Sequence, residues 1–450
     1  MRTVTIASLS QQVAVRKMPA RLPNDPRTLL TALFERAVAA AQPSTCVPPH
    51  LPEPPANGRI IVVGAGKAAA AMARATETHY AGIGADNSIQ GFVTTRHGYA
   101  QPTRTILVRE AGHPVPDPAS VEASQATLDL AATASADDLV LILLSGGASA
   151  LWSAPCTTLS LAEKQVLTRQ LLKAGARIDE MNCIRKHLSR IKGGRLAEAA
   201  TRNGARVITC AISDVPRDDP ATIGSGPTVG DPTTLADARE IISKYAITVS
   251  PAITTALDDD ANETPKPGAT MFERCDYRIV AAPIASLEAA AAHARELGIE
   301  TEILGDSIEG EAADVARAHA EIAKTVQRDG RTVLILSGGE LTVTIRGNGR
   351  GGPNQEYALA LANALDGASG IAALAGDTDG TDGGSGAADD PAGAYVAEDC
   401  LARAAALDLN PATMLADNDS TTFFERLGDL VRTGPTQTNV NDFRAILVSG

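Results

Sequence analysis

Short runs of β-branched residues and leucine alternate with alanine-rich helical stretches along most of the chain. The first run, Arg59-Ile60-Ile61-Val62-Val63, is apolar at successive rather than alternate positions, the pattern of a parallel strand covered on both faces. Leu139 to Leu144, Val207 to Ile212, Arg278 to Ala281, Thr301 to Leu304, Thr332 to Leu336 and Gly370 to Leu374 read the same way. Ahead of them, Arg27 to Ala41 sets Leu30, Leu33 and Val38 at helical spacing, with Asp25 as a cap before Pro26. Strands alternating with helices predict an α/β fold, a mainly parallel sheet and right-handed crossovers. Two strands end alike, in Ser145-Gly146-Gly147 and Ser337-Gly338-Gly339, which predicts one doubly wound unit in each half. The stretch Thr248 to Asp276, rich in Pro, Asp and Thr, reads as the linker. The expected organisation is a tail at 1–26, an N-terminal domain at 27–250, a linker at 251–276 and a C-terminal domain at 277–450.

Composition narrows the function classes. At 450 residues the chain can bury a large core without a disulfide or metal staple. Lys+Arg 40 against Asp+Glu 53 leaves a net charge of −13, which argues against nucleic acid and anionic membranes as partners. A small anion is still permitted, since local charge decides that. The six cysteines are scattered with no CxxC pair, the usage of reduced thiols in a cytoplasmic protein. Residues 1–20 lack the apolar core of a signal peptide, and no run approaches the ~18 apolar residues of a membrane span.

In open parallel sheets ligands bind beyond the carboxyl ends of the strands, so the loops there carry the candidate chemistry. Gly64-Ala65-Gly66-Lys67-Ala68-Ala69 follows the first strand and partly matches the dinucleotide fingerprint GxGxx[GA]. It reads either as a phosphate-binding loop or as a tight strand-to-helix turn. No acid follows at the next strand, where Arg96 is positioned instead to meet a 2′-phosphate. Lys67 at a helix N-terminus opposes the dipole, so an anion is expected beside it. Met181 to Leu196 is the most basic stretch; Ile184, Leu188 and Ile191 face the core, leaving Arg185, Lys186, Arg190 and Lys192 as a solvated face or an anion site. Asp214, at the end of a strand, suits Mg2+, a substrate hydroxyl or an Asx cap, and leads into Gly224-Ser225-Gly226-Pro227-Thr228. Gly376 to Gly386 sets Asp377, Asp379 and Asp382 within six residues, a charge density that calls for a cation or hydroxyls and favours Mg2+ with a phosphorylated ligand. Gly347 to Glu356 surrounds Arg350 with glycines, and with Glu340 it makes a candidate composite anion site.

Nine ordered segments, GAGKAAAAMA, GHPVPD, LSGGASAL, MNCIRKHLSRIKGGRLAEAA, SDVPRDDPATIGSGPT, LSGGELTV, GRGGPNQE, DGTDG and TGPTQTNVND, resemble the class II glycerate 2-kinases, whose C-terminal half is the MOFRL domain. The resemblance runs from about Arg27 to Leu447. It implies a larger Rossmann-like domain, a smaller α/β MOFRL domain and an active site in the cleft between them. It also implies ATP-dependent, Mg2+-assisted phosphorylation of D-glycerate at its 2-hydroxyl, in a monomer or homodimer. Lys67 matches the family's active-site lysine. Where relatives often read GGRNQE this chain has Pro353, so Arg350 would have to substitute for that arginine. The resulting expectation gives Lys67, Arg350, Asp214 and Asp382 catalytic roles. Asp214, Asp379 and Asp382 are the expected metal ligands. Substrate or nucleotide would be held by Gly64, Gly66, Ser145, Gly146, Gly147, Ser149, Arg190, Lys192, Gly226, Thr228, Glu340, Asn354 and Glu356. The alternative is an NADPH-dependent hydroxypyruvate reductase, supported by the partial fingerprint and Arg96 and opposed by the missing ribose acid.

Overall fold

A computed structural model describes residues 25–384 and 389–450. Residues 1–24 of the tail expected at 1–26, and Ser385 and Gly386 of the acidic loop, lie outside the described residues. Six parallel strands form the first sheet: β1 (Ile60–Ala65), β2 (Ile89–Arg96), β3 (Ile106–Ala111), β4 (Leu139–Leu144), β5 (Arg206–Ile212) and β6 (Cys275–Ala281). Their order is β3-β2-β1-β4-β5-β6, the doubly wound arrangement in which chain direction across the sheet reverses between β1 and β4. All six residues of β1 and of β4 are buried, as continuous apolar runs covered on both faces require. Helix Ala69–Gly82 covers one face, and helices Pro118–Ala132 and Arg195–Thr201 cover the other.

The second unit departs from the expected parallel pattern. It contains β7 (Glu300–Gly305), β9 (Val333–Gly339), β11 (Ile371–Asp377), β12 (Gly393–Val396), β13 (Leu430–Val431) and β14 (Asp442–Val448), in the order β13-β12-β11-β14-β9-β7. Only β7 and β9 pair in parallel; the remaining pairs are antiparallel. A separate two-stranded ribbon joins β8 (Gly310–Glu311) to β10 (Leu341–Thr342). The cause is β14, which enters between β9 and β11 from the opposite direction and so breaks the doubly wound order. Helices Ala312–Arg328 and Pro353–Leu365 cover one face of this sheet, and Pro26–Ala40 and Pro283–Glu296 cover the other.

Two segments sit elsewhere than the expected boundaries place them. The helix Pro26–Ala40, capped by Asp25 as predicted, packs on the second sheet although it precedes the first in sequence. Its stripe of Leu29, Leu30, Leu33, Phe34 and Ala37 is buried there, with Phe34 edge-on to Phe443 at 5.7 Å between ring centroids. Residues 251–276 are packed structure rather than a linker. Ile253, Ala256 and Leu257 of the helix Pro251–Asp258 bury against the helix Leu235–Lys244, and Cys275 opens β6. Glu263 accepts from His187 and from the backbone of Leu235, so this polar stretch has its partners within the first unit.

Candidate active site

The carboxyl ends of β1, β4 and β5 bring Lys67, Ser145 and Asp214 to one rim of the first sheet. The Gly64–Lys67 turn is closed rather than open to a phosphate. Gly66 N–H donates to Thr94 O at 3.1 Å, Lys67 N–H to Gly146 O at 2.8 Å and Ala68 N–H to Ser145 Oγ at 3.0 Å. These bonds consume the backbone donors a dinucleotide pyrophosphate would use. Gly66 serves the β1–β4 contact: at φ 138°, a Cβ there would stand 2.0 Å from Ser145 Oγ. Gly64 lies beside Leu143 of β4 in the same seam.

The anion expected beside Lys67 is Asp379, supplied by the second unit. Lys67 Nζ donates to Asp379 Oδ2 at 2.5 Å, and Asp379 is 1% exposed. The loop after β11 places it: Asp379 Oδ1 accepts from Thr381 N and Oγ1, and Asp379 N–H donates to Asp377 Oδ1. Burial works against the Lys67 charge, but Asp379, Asp377 and Asp214 outweigh it and hold the ammonium well above its ordinary range. Burial also acts on Asp379, where Lys67 overcomes it and keeps that carboxyl low. Asp377 goes the other way, raised well above the usual carboxylate range by burial and then by the charge of Asp379. Burial likewise raises Asp214, against the pull of Lys67.

Asp214 is tied across the domain boundary. Asn439 Nδ2 donates to its Oδ2 at 3.1 Å and Asn441 Nδ2 to its backbone O at 2.6 Å, both from the segment leading into β14. Gly146 has to be glycine at this crossing, because a Cβ would lie 2.2 Å from both Asn439 Nδ2 and Asp214 Oδ2. His113 stands over Gly147 near Lys67; burial, then Lys67 and Arg96, push its imidazole down to about 4. Between the units opens a cleft of about 930 Å³, lined by Ser145, Gly147, Ser149, Asp214 and Gly224 on one side and Ser307, Glu309 and Glu340 on the other.

Other expected site residues have structural positions. Asp382 is 3% exposed and caps the helix Pro353–Leu365: Oδ1 accepts from Asn354 N and Nδ2, and Oδ2 from Gln355 N and Nε2. Burial nonetheless raises its carboxyl to about 7, against these donors. Asn354 bridges from there to Asp442, and Glu356 faces Asn418 at 2.9 Å in a separate pocket. Arg350 is exposed and paired with Glu425 at 3.0 Å, outside the cleft lining. Arg190 donates to Pro155 O and Gln125 Oε1, holding the loop after its own helix. Thr228 accepts from Thr209 inside the core, and Gly226 O accepts from Gly194 N–H. Lys192 reaches Ser149, with Nζ 2.8 Å from its O and 3.0 Å from its Oγ.

The expected metal set does not converge as a cage. Among the described residues no group of three or more His, Cys, Asp or Glu is arranged to hold a metal ion. Both oxygens of Asp379 and of Asp382 already accept from the protein, whereas Asp214 borders the cleft with one side-chain donor from elsewhere in the chain. Residue-by-residue reading missed His113, Asn439, Asn441 and Asp442 as parts of this constellation. His113 and the two asparagines sit in the segments GHPVPD and TGPTQTNVND, which were visible, but nothing local marks an amide as the partner of a carboxylate over two hundred residues away.

This is an α/β enzyme fold with two sheets, and its candidate site draws residues from both halves of the chain. Residues 29–258 match the family described as a domain of unknown function, DUF4147, and residues 333–442 match the MOFRL family. A protein of Thermotoga maritima named D-glycerate 2-kinase is 36% identical over 93% of this chain and 98% of its own. The crystal structure of a glycerate kinase from Thermotoga maritima superposes with a TM-score of 0.84 at 35% identity, covering 95% of this chain and 100% of that one. A protein of Agrobacterium vitis with a provisional hydroxypyruvate reductase name is 49% identical over 94% of both chains. The chain belongs to the DUF4147–MOFRL family, the class II glycerate 2-kinases.

Proposed function

We propose that this protein transfers the γ-phosphoryl group of ATP to the 2-hydroxyl of D-glycerate, releasing 2-phosphoglycerate and ADP. The observation that carries the reading is the Lys67 ammonium at the topological switch point of the first sheet, held by Asp379 of the second unit. Phosphoryl transfer demands positioning and charge neutralisation more than covalent chemistry. Lys67, kept charged by its aspartates, neutralises the transferring group, and the half-buried Asp214, its basicity raised by burial, accepts the proton of the attacking hydroxyl. Ser145 to Ser149 and Glu340 form the surrounding walls. Asp214 is the expected metal ligand that borders the cleft and would hold a nucleotide-borne Mg2+, which would supply neutralisation of phosphate charge. Six unpaired thiols, five of them buried, support a cytoplasmic setting for the same enzyme.

The relatives named glycerate kinase support this reading over a reductase, and so does the closed Gly64–Lys67 turn, which leaves no row of backbone donors for a dinucleotide. Two assays decide. With D-glycerate, ATP and Mg2+ the protein releases ADP, and phosphorus NMR of the product shows the phosphate on carbon 2. With hydroxypyruvate and NADPH it leaves the nicotinamide absorbance unchanged. NADPH consumption without ADP release reverses the assignment.

A further inference from the structure

Behind Ser149 the interdomain cleft adjoins a second cavity of about 290 Å³ with opposite electrical character. The cleft carries Asp179, Asp214, Asp219, Glu309 and Glu340 on its walls. The second cavity is lined by Lys164, Arg169, Arg185 and Lys192 and by no acidic residue, in a protein whose acids outnumber its bases 53 to 40. Ser149 and Arg185 border both spaces. Lys164 comes from the helix Leu161–Lys173, Arg185 from Ile178–His187, and Lys192 from the turn after it.

These cations are costly where they stand. Lys164 is 8% exposed and Lys192 is 1% exposed, and burying an ammonium without a counter-charge is unfavourable. Lys192 spends its hydrogen bonds on Ser149, and Lys164 reaches only Leu188 O, at 3.4 Å. Among the described residues, none of Lys164, Arg185 and Lys192 has an ion pair, and the Arg185 guanidinium has no hydrogen bond. The rest of the same basic stretch is balanced: Lys186 faces Asp231 at 3.4 Å, His187 faces Glu263, and Arg190 and Arg195 donate to carbonyls. The fold therefore neutralises or engages the neighbours and leaves three basic side chains around one wall.

We propose that Lys164, Arg185 and Lys192 form an oxyanion site that opens beside Ser149 and binds an oxyanion of the reactants, either the phosphate chain of the nucleotide or the carboxylate of the acceptor acid. Arg185 grips it through the planar fork suited to two oxygens, and the lysines supply charge from behind. The assignment rests on the phosphotransferase reading only for the identity of its ligands.

Calorimetry on the full chain tests it with ADP, inorganic pyrophosphate, D-glycerate and uncharged adenosine as probes. Arg185→Gln, at a partly exposed position, weakens at least one oxyanion by about tenfold or more, the loss of a charge-assisted contact, and leaves adenosine within about twofold. Arg185→Lys recovers part of the loss, and Lys164→Met, checked for folding by circular dichroism, repeats it. Weakening of ADP and pyrophosphate assigns the phosphate chain; weakening of D-glycerate alone assigns the carboxylate; either sustains the site. Folded Arg185→Gln protein with all affinities within about twofold of wild type overturns it, as does wild-type protein that binds none of the three oxyanions. Because binding is read without turnover, a wild type that binds oxyanions but releases no ADP defeats the kinase reading and spares the site.

Discussion

Two turns of this molecule share the letters Ser-Gly-Gly and end strands of similar apolar character, yet they do different work. Ser145-Gly146-Gly147 leaves β4 at the switch point of a parallel sheet. There Ser145 Oγ takes the Ala68 N–H, and Gly146 admits Asp214 and Asn439 against its backbone. Ser337-Gly338-Gly339 remains inside β9, paired antiparallel to β14. Its Ser337 Oγ and Gly338 O both accept from Arg444, a buried guanidinium also paired to Asp442 at 2.9 Å. The first turn faces a cleft; the second is stitched to a neighbouring strand. What differs is the strand alongside. The parallel neighbours of β4 end at the same rim and present their loops there, whereas the antiparallel β14 begins at that end, with Asp442 opposite Gly339.

The largest expected effect falls on Lys67, whose backbone N–H donates to Gly146 O of the first turn. Lys67→Ala lowers kcat with ATP and glycerate on the order of 10²–10³-fold while the far-ultraviolet spectrum is kept; near-normal turnover would remove Lys67 from the centre. The two glycines separate the turns next. Gly146→Ala displaces Asp214 and Asn439 and costs about 10²-fold in kcat, whereas Gly338→Ala, whose Cβ would meet Asp442 O at 3.3 Å, stays within about threefold. Equal losses in both would make the comparison one of sequence rather than surroundings. In the second unit Asp382→Ala removes the cap of the helix Pro353–Leu365, and urea titration registers a loss of about 1–3 kcal/mol.

Protonation offers a smaller but directional test. Burial first, then Arg185, lowers Lys164 to about 7, against a weak opposing effect of Cys156; Lys192, Arg169 and Arg185 are the charged groups sharing its cavity. At pH 8 Lys164 is therefore mostly neutral, and an oxyanion that restores its charge draws up to about one proton from buffer. At pH 6 it is already protonated and its share of the uptake on binding vanishes. Calorimetry in buffers of different ionisation enthalpy reads the difference, and equal uptake at both values would sever Lys164 from the site. The smallest effect belongs to Arg350: its exposed pair with Glu425 is worth about 0–1 kcal/mol, so Arg350→Ala keeps kcat and KM within about twofold.

Much of the first unit was legible because short continuous apolar runs bounded by turn residues read as strands buried on both faces. The placement of Lys67, Asp214 and Asp379 was legible for a related reason: a charged residue that follows such a run lies at the strand's carboxyl end. The surroundings of Arg350 and Asp382 were not legible, because a glycine-rich loop and an acidic loop read alike whether they meet a ligand, a surface carboxylate or a helix terminus. The basic stretch Met181–Leu196 was ambiguous until Asp231, Glu263, Pro155 and Gln125 had claimed their shares of it. Partners at such separations leave no local trace.

By itself the sequence determined which segments become strands and helices, since periodicity and burial on one or two faces are local consequences of side-chain type. It also determined, through nine ordered motifs, the family to which the chain belongs. Tertiary structure alone decided that Pro26–Ala40 belongs with the second sheet and that β14 turns that sheet antiparallel. It also set Asp379 against Lys67 and left Lys164, Arg185 and Lys192 without acidic partners. Each of these depends on which apolar face meets which, and on charges brought together from distant positions. Neither is encoded by any window short enough to read along the chain.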